Sequence, residues 1–172
     1  PVPLAEYEVA RNDHRASLVP LGEKGEEDLH LVSVLLDVAD VIENDRVAKL
    51  PTVEKDFPMF LGREQGKCRR GPAAPDFEVE DVLPTLTTKA LGYVKSRAAD
   101  AKAGKPFFLY LPLASPHTPI APTKEWQGKS GLNFYADFVM ETDAEVGMVL
   151  GALDRLGLAT NTLVIFSSDN GC

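Results

Sequence analysis

"PFFLYLPLASPHTP", from Pro106 to Pro119, decides how this chain is read. Phe107 to Leu113 is apolar along its whole length, as a strand buried on both faces of a parallel sheet must be. The run ends in a histidine, His117, held between Pro116 and Pro119. Prolines restrict the backbone around them, so the chain itself can aim the ring. A strand that only filled a core would need no titratable group at its end.

Toward the C-terminus, Asn133 to about Leu156 is predicted to be a helix. Val139, Val146, Val149, Leu150, Leu153 and Leu156 fall on one stripe, with Glu141, Glu145 and Asp154 largely off it. Gly157 closes the helix. "NTLVIFSSDNG" follows, from Asn161 to Gly171, with Thr162 to Phe166 as a second buried strand. Strand, helix and strand in this order describe a βαβ crossover. The expected fold class is α/β, a mainly parallel sheet with helices on both faces.

Toward the N-terminus, residues 81–103 read as a helix. Asp81 can cap it, Pro84 sits in its first turn, and Gly104 stops it. Val82, Leu86, Ala90, Tyr93, Val94 and Arg97 keep a helical spacing. Residues 51–80 are rich in Pro, Gly and charge, including "GREQGKCRRGPAAP", and are expected to form a long surface loop. Residues 31–50 hold β-favouring residues, then "IENDR" (Ile42 to Arg46) as a turn. Residues 1–30 show no persistent period and stay unplaced. His14 and His30, in or beside that segment, read as ordinary exposed or partly buried histidines.

The chain has 172 residues and a net charge of −8, a balance that excludes general nucleic-acid binding through a basic footprint. No stretch reads as a signal peptide or a membrane span. The longest apolar run, near Leu29 to Ile42, is broken by Asp37 and Asp40. Cys68 and Cys172 make no disulfide framework. The chain starts at Pro1 rather than Met and stops directly after an apolar run, so it is read as a piece of a longer protein.

Ligands of open parallel sheets bind beyond the carboxyl ends of the strands. If the two predicted strands are neighbours, His117, Asp169 and Asn170 converge on one crevice. Asp169 and Asn170 offer hard oxygen donors, which suit Ca2+ or Mg2+ and not a zinc thiolate site. Two donors make only part of a site, and "DNG" is equally a good turn. His117 can hydrogen-bond an anion or protonate a leaving oxygen; it can equally be a histidine satisfied locally at a strand end.

Taken jointly, "KPFFLYLPLASPHTPIAP" and "FYADFVMETDAEVGMVLGALDRLGLATNTLVIFSSDNG" closely resemble the sulfatase (arylsulfatase) family of the alkaline-phosphatase-like superfamily. "VIENDRVAKLPT" and "FPMFLGREQG" look like the middle of arylsulfatases as well. The resemblance implies a sulfuric ester hydrolase with a divalent cation, usually Ca2+, beside a formylglycine made from Cys or Ser in a C-x-P-x-R motif. Its substrate would be a sulfated small molecule or carbohydrate. By the same resemblance, Asp169 and Asn170 look like two metal ligands, and His117 like the histidine that contacts the sulfate ester and helps protonate the leaving oxygen. Residues 31–172 would be part of the catalytic domain. Most relatives are exported or lysosomal.

The departures are specific. No C-x-P-x-R motif is present; Cys68 sits in "CRRGP" and is not assigned as nucleophile. The aspartates expected early in a sulfatase and the lysine-histidine segment after the nucleophile are absent. By itself the chain is expected not to turn over, since losing the nucleophile removes the covalent route. Two other readings remain at this point. One is a phosphodiesterase or phosphonate hydrolase of the same superfamily, which a plain Thr or Ser nucleophile would indicate. The other is a non-catalytic remnant. In every case unpaired sheet edges would make the isolated chain marginal or aggregation-prone.

Overall fold

The computed structural model describes residues 32–35, 40–43, 46–47, 49–61 and 64–168. Three short strands come first: β1 (Val32–Leu35), β2 (Asp40–Glu43) and β3 (Arg46–Val47). They pair antiparallel in the order β1-β2-β3. Glu43 faces Arg46 in the β2–β3 register, so Ile42, Glu43 and Arg46 of the turn expected at "IENDR" belong to strands, and its Asn44 and Asp45 lie outside the described residues.

The expected loop over residues 51–80 is instead largely a hairpin. β4 (Val53–Leu61) pairs antiparallel with β5 (Glu64–Ala73). Phe57 and Phe60 explain this: both are buried, in a cluster with Ala73, Ala74, Phe77, Val79 and Ala121. Phe57 meets Phe77 edge-on with ring centroids 6.0 Å apart, and Phe60 lies 4.7 Å from Phe134. Asp56, Lys67 and Arg70, among the charges that suggested a loop, lie on the hairpin's exposed side, where Lys67 bonds Asp56 at 2.7 Å. Pro58 cannot donate to a ladder, and the register shifts between Phe57 and Pro58.

Two long helices follow, α1 (Val82–Lys102) and α2 (Phe134–Arg155). Both predicted ends hold. Gly104 and Gly157 adopt φ of +90° and +66°, a conformation that costs glycine nothing. The Asn133 side chain caps α2 by accepting from Ala136 N at 2.9 Å. Asp81 occupies the cap position of α1 but makes no side-chain cap bond. The helices run side by side in the same direction. Leu83 of α1 shares a cluster with Phe138 of α2, and Val94 and Ala98 share one with Leu153.

The expected βαβ crossover is seen only in part. Its helix is α2, but neither Phe107–Leu113 nor Thr162–Phe166 joins a ladder among the described residues. Both sheets there are antiparallel, so a parallel sheet is not among the described elements. Residues 107–113 nevertheless keep a period of two. Phe107, Leu109, Leu111 and Leu113 turn partly inward, while Phe108, Tyr110 and Pro112 are exposed. Phe107 and Leu109 pack on the C-terminal halves of the helices, and Leu113 on the N-terminal halves. One face of an extended chain is thus covered by helices, and its edges meet no neighbouring strand among the described residues. Leu163, Val164, Ile165 and Phe166 are all exposed.

The stripe assigned to α2 also needs correction. Asp137, Phe138, Glu141, Glu145, Ala152 and Leu153 are buried, whereas Val139 and Leu150 are exposed. Glu141 and Glu145 therefore face inward, opposite to the expectation. For Asp137 and Glu141 the reason is polar: both accept from backbone N–H groups of the loop that precedes the helix.

Candidate functional site

His117 lies at the head of the segment that joins the extended run 107–113 to α2. Its backbone N–H donates to Ala114 O at 3.1 Å, closing a turn. The Ser115–Pro116 and Thr118–Pro119 peptide bonds are both cis. The imidazole is exposed. Its Nδ1 lies 2.8 Å from Thr118 O and 3.2 Å from Thr118 Oγ1. A carbonyl oxygen can only accept, so Nδ1 carries the proton and donates to it. That bond fixes the tautomer with Nε2 as the acceptor in the neutral ring. Such a ring can take a proton at Nε2 and present it, or a hydrogen bond, to an anion.

Behind His117 the chain is tied down. Ile120 is buried with Leu83 and Phe138, and its carbonyl accepts from Phe60 N of β4 at 2.8 Å. Ala121 and Pro122 are buried as well. Thr123 N donates to Glu141 Oε2 at 3.0 Å. Gln127 Nε2 donates to Pro122 O at 3.0 Å. Gly128 N and Ser130 N donate to the two oxygens of Asp137, each at 2.8 Å. Asp137 and Glu141 are each only 1% exposed.

These two carboxylates differ in charge behaviour. Burial works against ionising Asp137, but the bonds from Ser130 and Gly128 outweigh it and hold the group below the usual carboxylate range. For Glu141 burial wins. It raises the group above its ordinary value despite the Thr123 bond, with Glu145 and Glu125 adding repulsion. Glu145 Oε2 is buried and meets no hydrogen-bond partner.

Asp169 and Asn170, the candidate metal ligands, lie outside the described residues, as do His14 and His30. So the convergence of His117 with Asp169 and Asn170 is untested by the geometry. Among the described residues no group of three or more acidic, histidine or cysteine side chains could hold a metal ion. The donors named for Ca2+ or Mg2+ fit a hard cation by type but form half a set at most. Ser167 and Ser168, which lead into "DNG", are exposed, and Ser167 Oγ donates to Ser168 O at 3.2 Å. The side chain of Cys68, on β5, is not among those described.

Asp137 and Glu141 escaped the sequence reading because acidic residues were assigned to the wet face. A signal was present: Asp137, Glu141 and Glu145 recur every fourth residue and so share one helical face.

The histidine turn, the capped helix α2 and the apolar runs on either side of it are a piece of an α/β domain. Comparison with known proteins makes the class specific. The sulfatase family model matches residues 42–172. The chain belongs to the sulfatase family, and so to a lineage whose fold is alkaline-phosphatase-like α/β. It is 37% identical over 130 residues to an N-acetylgalactosamine-6-O-sulfatase of Bacteroides thetaiotaomicron, covering 75% of this chain and 24% of that protein. It is 38% identical over 115 residues to arylsulfatase A of Bos taurus, covering 62% of this chain and 23% of that protein. Over 85 residues it is 38% identical to N-acetylgalactosamine-6-sulfatase of Mus musculus, covering 49% of this chain and 16% of that protein. The chain therefore spans a quarter or less of the length of these relatives. No solved structure gives a significant match.

Proposed function

We propose that this chain supplies the middle of a sulfate ester hydrolase: the histidine that meets the ester and part of a divalent-cation site. The carrying observation is the sulfatase match over residues 42–172, which runs unbroken through His117 and "SSDNG". His117 is exposed at a fixed turn, with Nδ1 bound to Thr118 O. In this role Nε2 faces the ester, hydrogen-bonds it, and delivers a proton to the leaving oxygen. Asp169 and Asn170 would hold Ca2+ or Mg2+, which supplies positive charge opposite the sulfate when bound. The nucleophile is a formylglycine contributed from outside these residues, since no C-x-P-x-R motif is present. Residues 31–172 are assigned to the catalytic domain, and residues 1–30 to no part of it. The substrate class is a sulfated carbohydrate or small sulfate ester.

The test is calorimetric titration of the chain with Ca2+, beside an Asp169→Ala variant. Binding that disappears in the variant supports the half-site. Equal heats from both proteins, with unchanged circular dichroism, would remove Asp169 as a ligand.

A further inference from the structure

The segment that carries His117 is anchored to β4 at Ile120 and, further downstream, to α2. Downstream of the ring, Thr123 N, Gly128 N and Ser130 N donate to α2 carboxylates, and Gln127 Nε2 donates to Pro122 O. Upstream, Leu113 packs on Leu83, Ile120 and Phe138. The two flanks of the exposed imidazole are thus both seated on the N-terminal half of α2, one through apolar contact and one through carboxylates.

We propose that Asp137 and Glu141 are positioning residues for His117: they clamp the Thr123–Ser130 backbone to α2 and so fix where the ring is presented. This rests on reading His117 as the ester-contacting group. The spacing suits the task. Asp137 and Glu141 are one turn apart on the same face, and they meet backbone N–H groups at both ends of one short stretch of chain. The buried partners are the two carboxylates, each 1% exposed, and a buried acceptor left without its donor is costly, so the stretch cannot lift from α2 without losing three bonds together. Ile120, which lies between His117 and the stretch in sequence, is buried against Leu83 and Phe138 and so holds the chain between them to the same helices. Neither carboxylate touches substrate in this account. Their part is geometric, and what matters at position 141 is an acceptor, not a charge. Gln can keep the bond to Thr123; Leu cannot. At position 137 two acceptors are needed, and Asn supplies only one.

The experiment is nuclear magnetic resonance on the full chain. It contains only three histidines, so the His117 ring signals are assigned by their loss in His117→Ala. In Glu141→Leu the Thr123 amide should exchange at least about tenfold faster, and the His117 Cε1–H signal should shift or broaden. Glu141→Gln should restore both. A Leu variant that frees the Thr123 amide and leaves the His117 ring unchanged overturns the proposal. If that variant does not fold, urea titration of the unmodified chain decides. The His117 ring signal must change in step with loss of Thr123, Gly128 and Ser130 amide protection; a ring that moves independently of all three overturns it equally. Titration with p-nitrophenyl sulfate separates the two readings. No shift at His117 in the unmodified chain defeats the ester-contacting role and leaves the clamp standing. A shift that is the same in Glu141→Leu and unmodified chain defeats the clamp alone.

Discussion

Glu141 is a carboxylate that the fold uses as an acceptor while penalising its charge. Burial raises its pKa above the ordinary 4.5, with Glu145 and Glu125 acting in the same direction. The folded state then holds the proton more tightly than the unfolded one, so this group's contribution falls as pH rises from 4.5 through the raised folded value. Glu141→Gln keeps the acceptor for Thr123 and removes the buried charge. We predict that its melting temperature at pH 7 equals or exceeds that of the unmodified chain, with a flatter pH dependence above 4.5. A loss of several degrees at pH 7 would show that the charge itself is needed. Asp137 behaves in the opposite sense. Its stabilisation is fully present above its ordinary value of 3.8 and is lost as pH falls through the lower folded value. Asp137→Asn turns one of its two oxygens into a donor that faces a backbone N–H. The expected cost is about 2 kcal/mol, the loss of one charge-assisted bond with a donor left buried. Urea denaturation at pH 7 measures it, and a change within about 0.5 kcal/mol would mean that water or a shifted loop replaces the bond.

At the scale of elements, β4–β5 and α2 both hold the segment that carries His117. Phe60 is the link: it is buried, lies against Phe134 at the start of α2, and its N–H binds Ile120 O behind His117. Phe60→Ala should cost about 3 kcal/mol or more through cavity formation. It should also loosen the Ile120 amide region in hydrogen exchange. Protection there equal to that of the unmodified chain would disconnect the hairpin from the histidine turn. Both helices were legible in the sequence because their stops are local chemistry: Gly104 and Gly157 at the ends, and Asn133 at the start of α2. The hairpin was not. Its glycines, Pro58 and charges mask Phe57 and Phe60, and only tertiary packing reveals that those two rings share a core with Phe77. The inward face of α2 was misassigned for a related reason, since periodicity records hydrophobicity and cannot see which carboxylates find backbone donors. His117 stood out in the sequence, but the side chains that anchor its segment did not, because their partners are main-chain groups that no sequence spells.

At the scale of the molecule, the apolar runs that decided the sequence reading are its exposed surfaces. Phe108 and Tyr110 are each 69% exposed, and Leu163, Ile165 and Phe166 lie between 79% and 85%. Their sequence is that of strands buried on both faces, and the period of two over 107–113 survives in the structure. What is missing from the described residues is a ladder partner. Residues 107–113 settle one face on the helices, while 163–166 remain exposed. The sulfatase relatives are several times longer than the matched stretch, of which this chain spans 16–24% in the cases compared. Two extended apolar segments that join no ladder among the described residues offer an edge that templates pairing with another chain, even though Phe108 O accepts from Tyr93 Oη. The isolated chain should therefore self-associate. Sedimentation velocity over a hundredfold concentration range should show growing species, and a hydrophobic dye should bind. Leu163→Lys with Ile165→Lys places charge on one side of the second segment, far from the buried clusters that hold α1 to α2. That variant should stay monomeric to higher concentration and keep the helical circular dichroism, because Leu163 and Ile165 bury almost nothing to lose. If the unmodified chain sediments as a concentration-independent monomer and unfolds cooperatively, its exposed segments must be covered from within the same chain, and the edge argument fails.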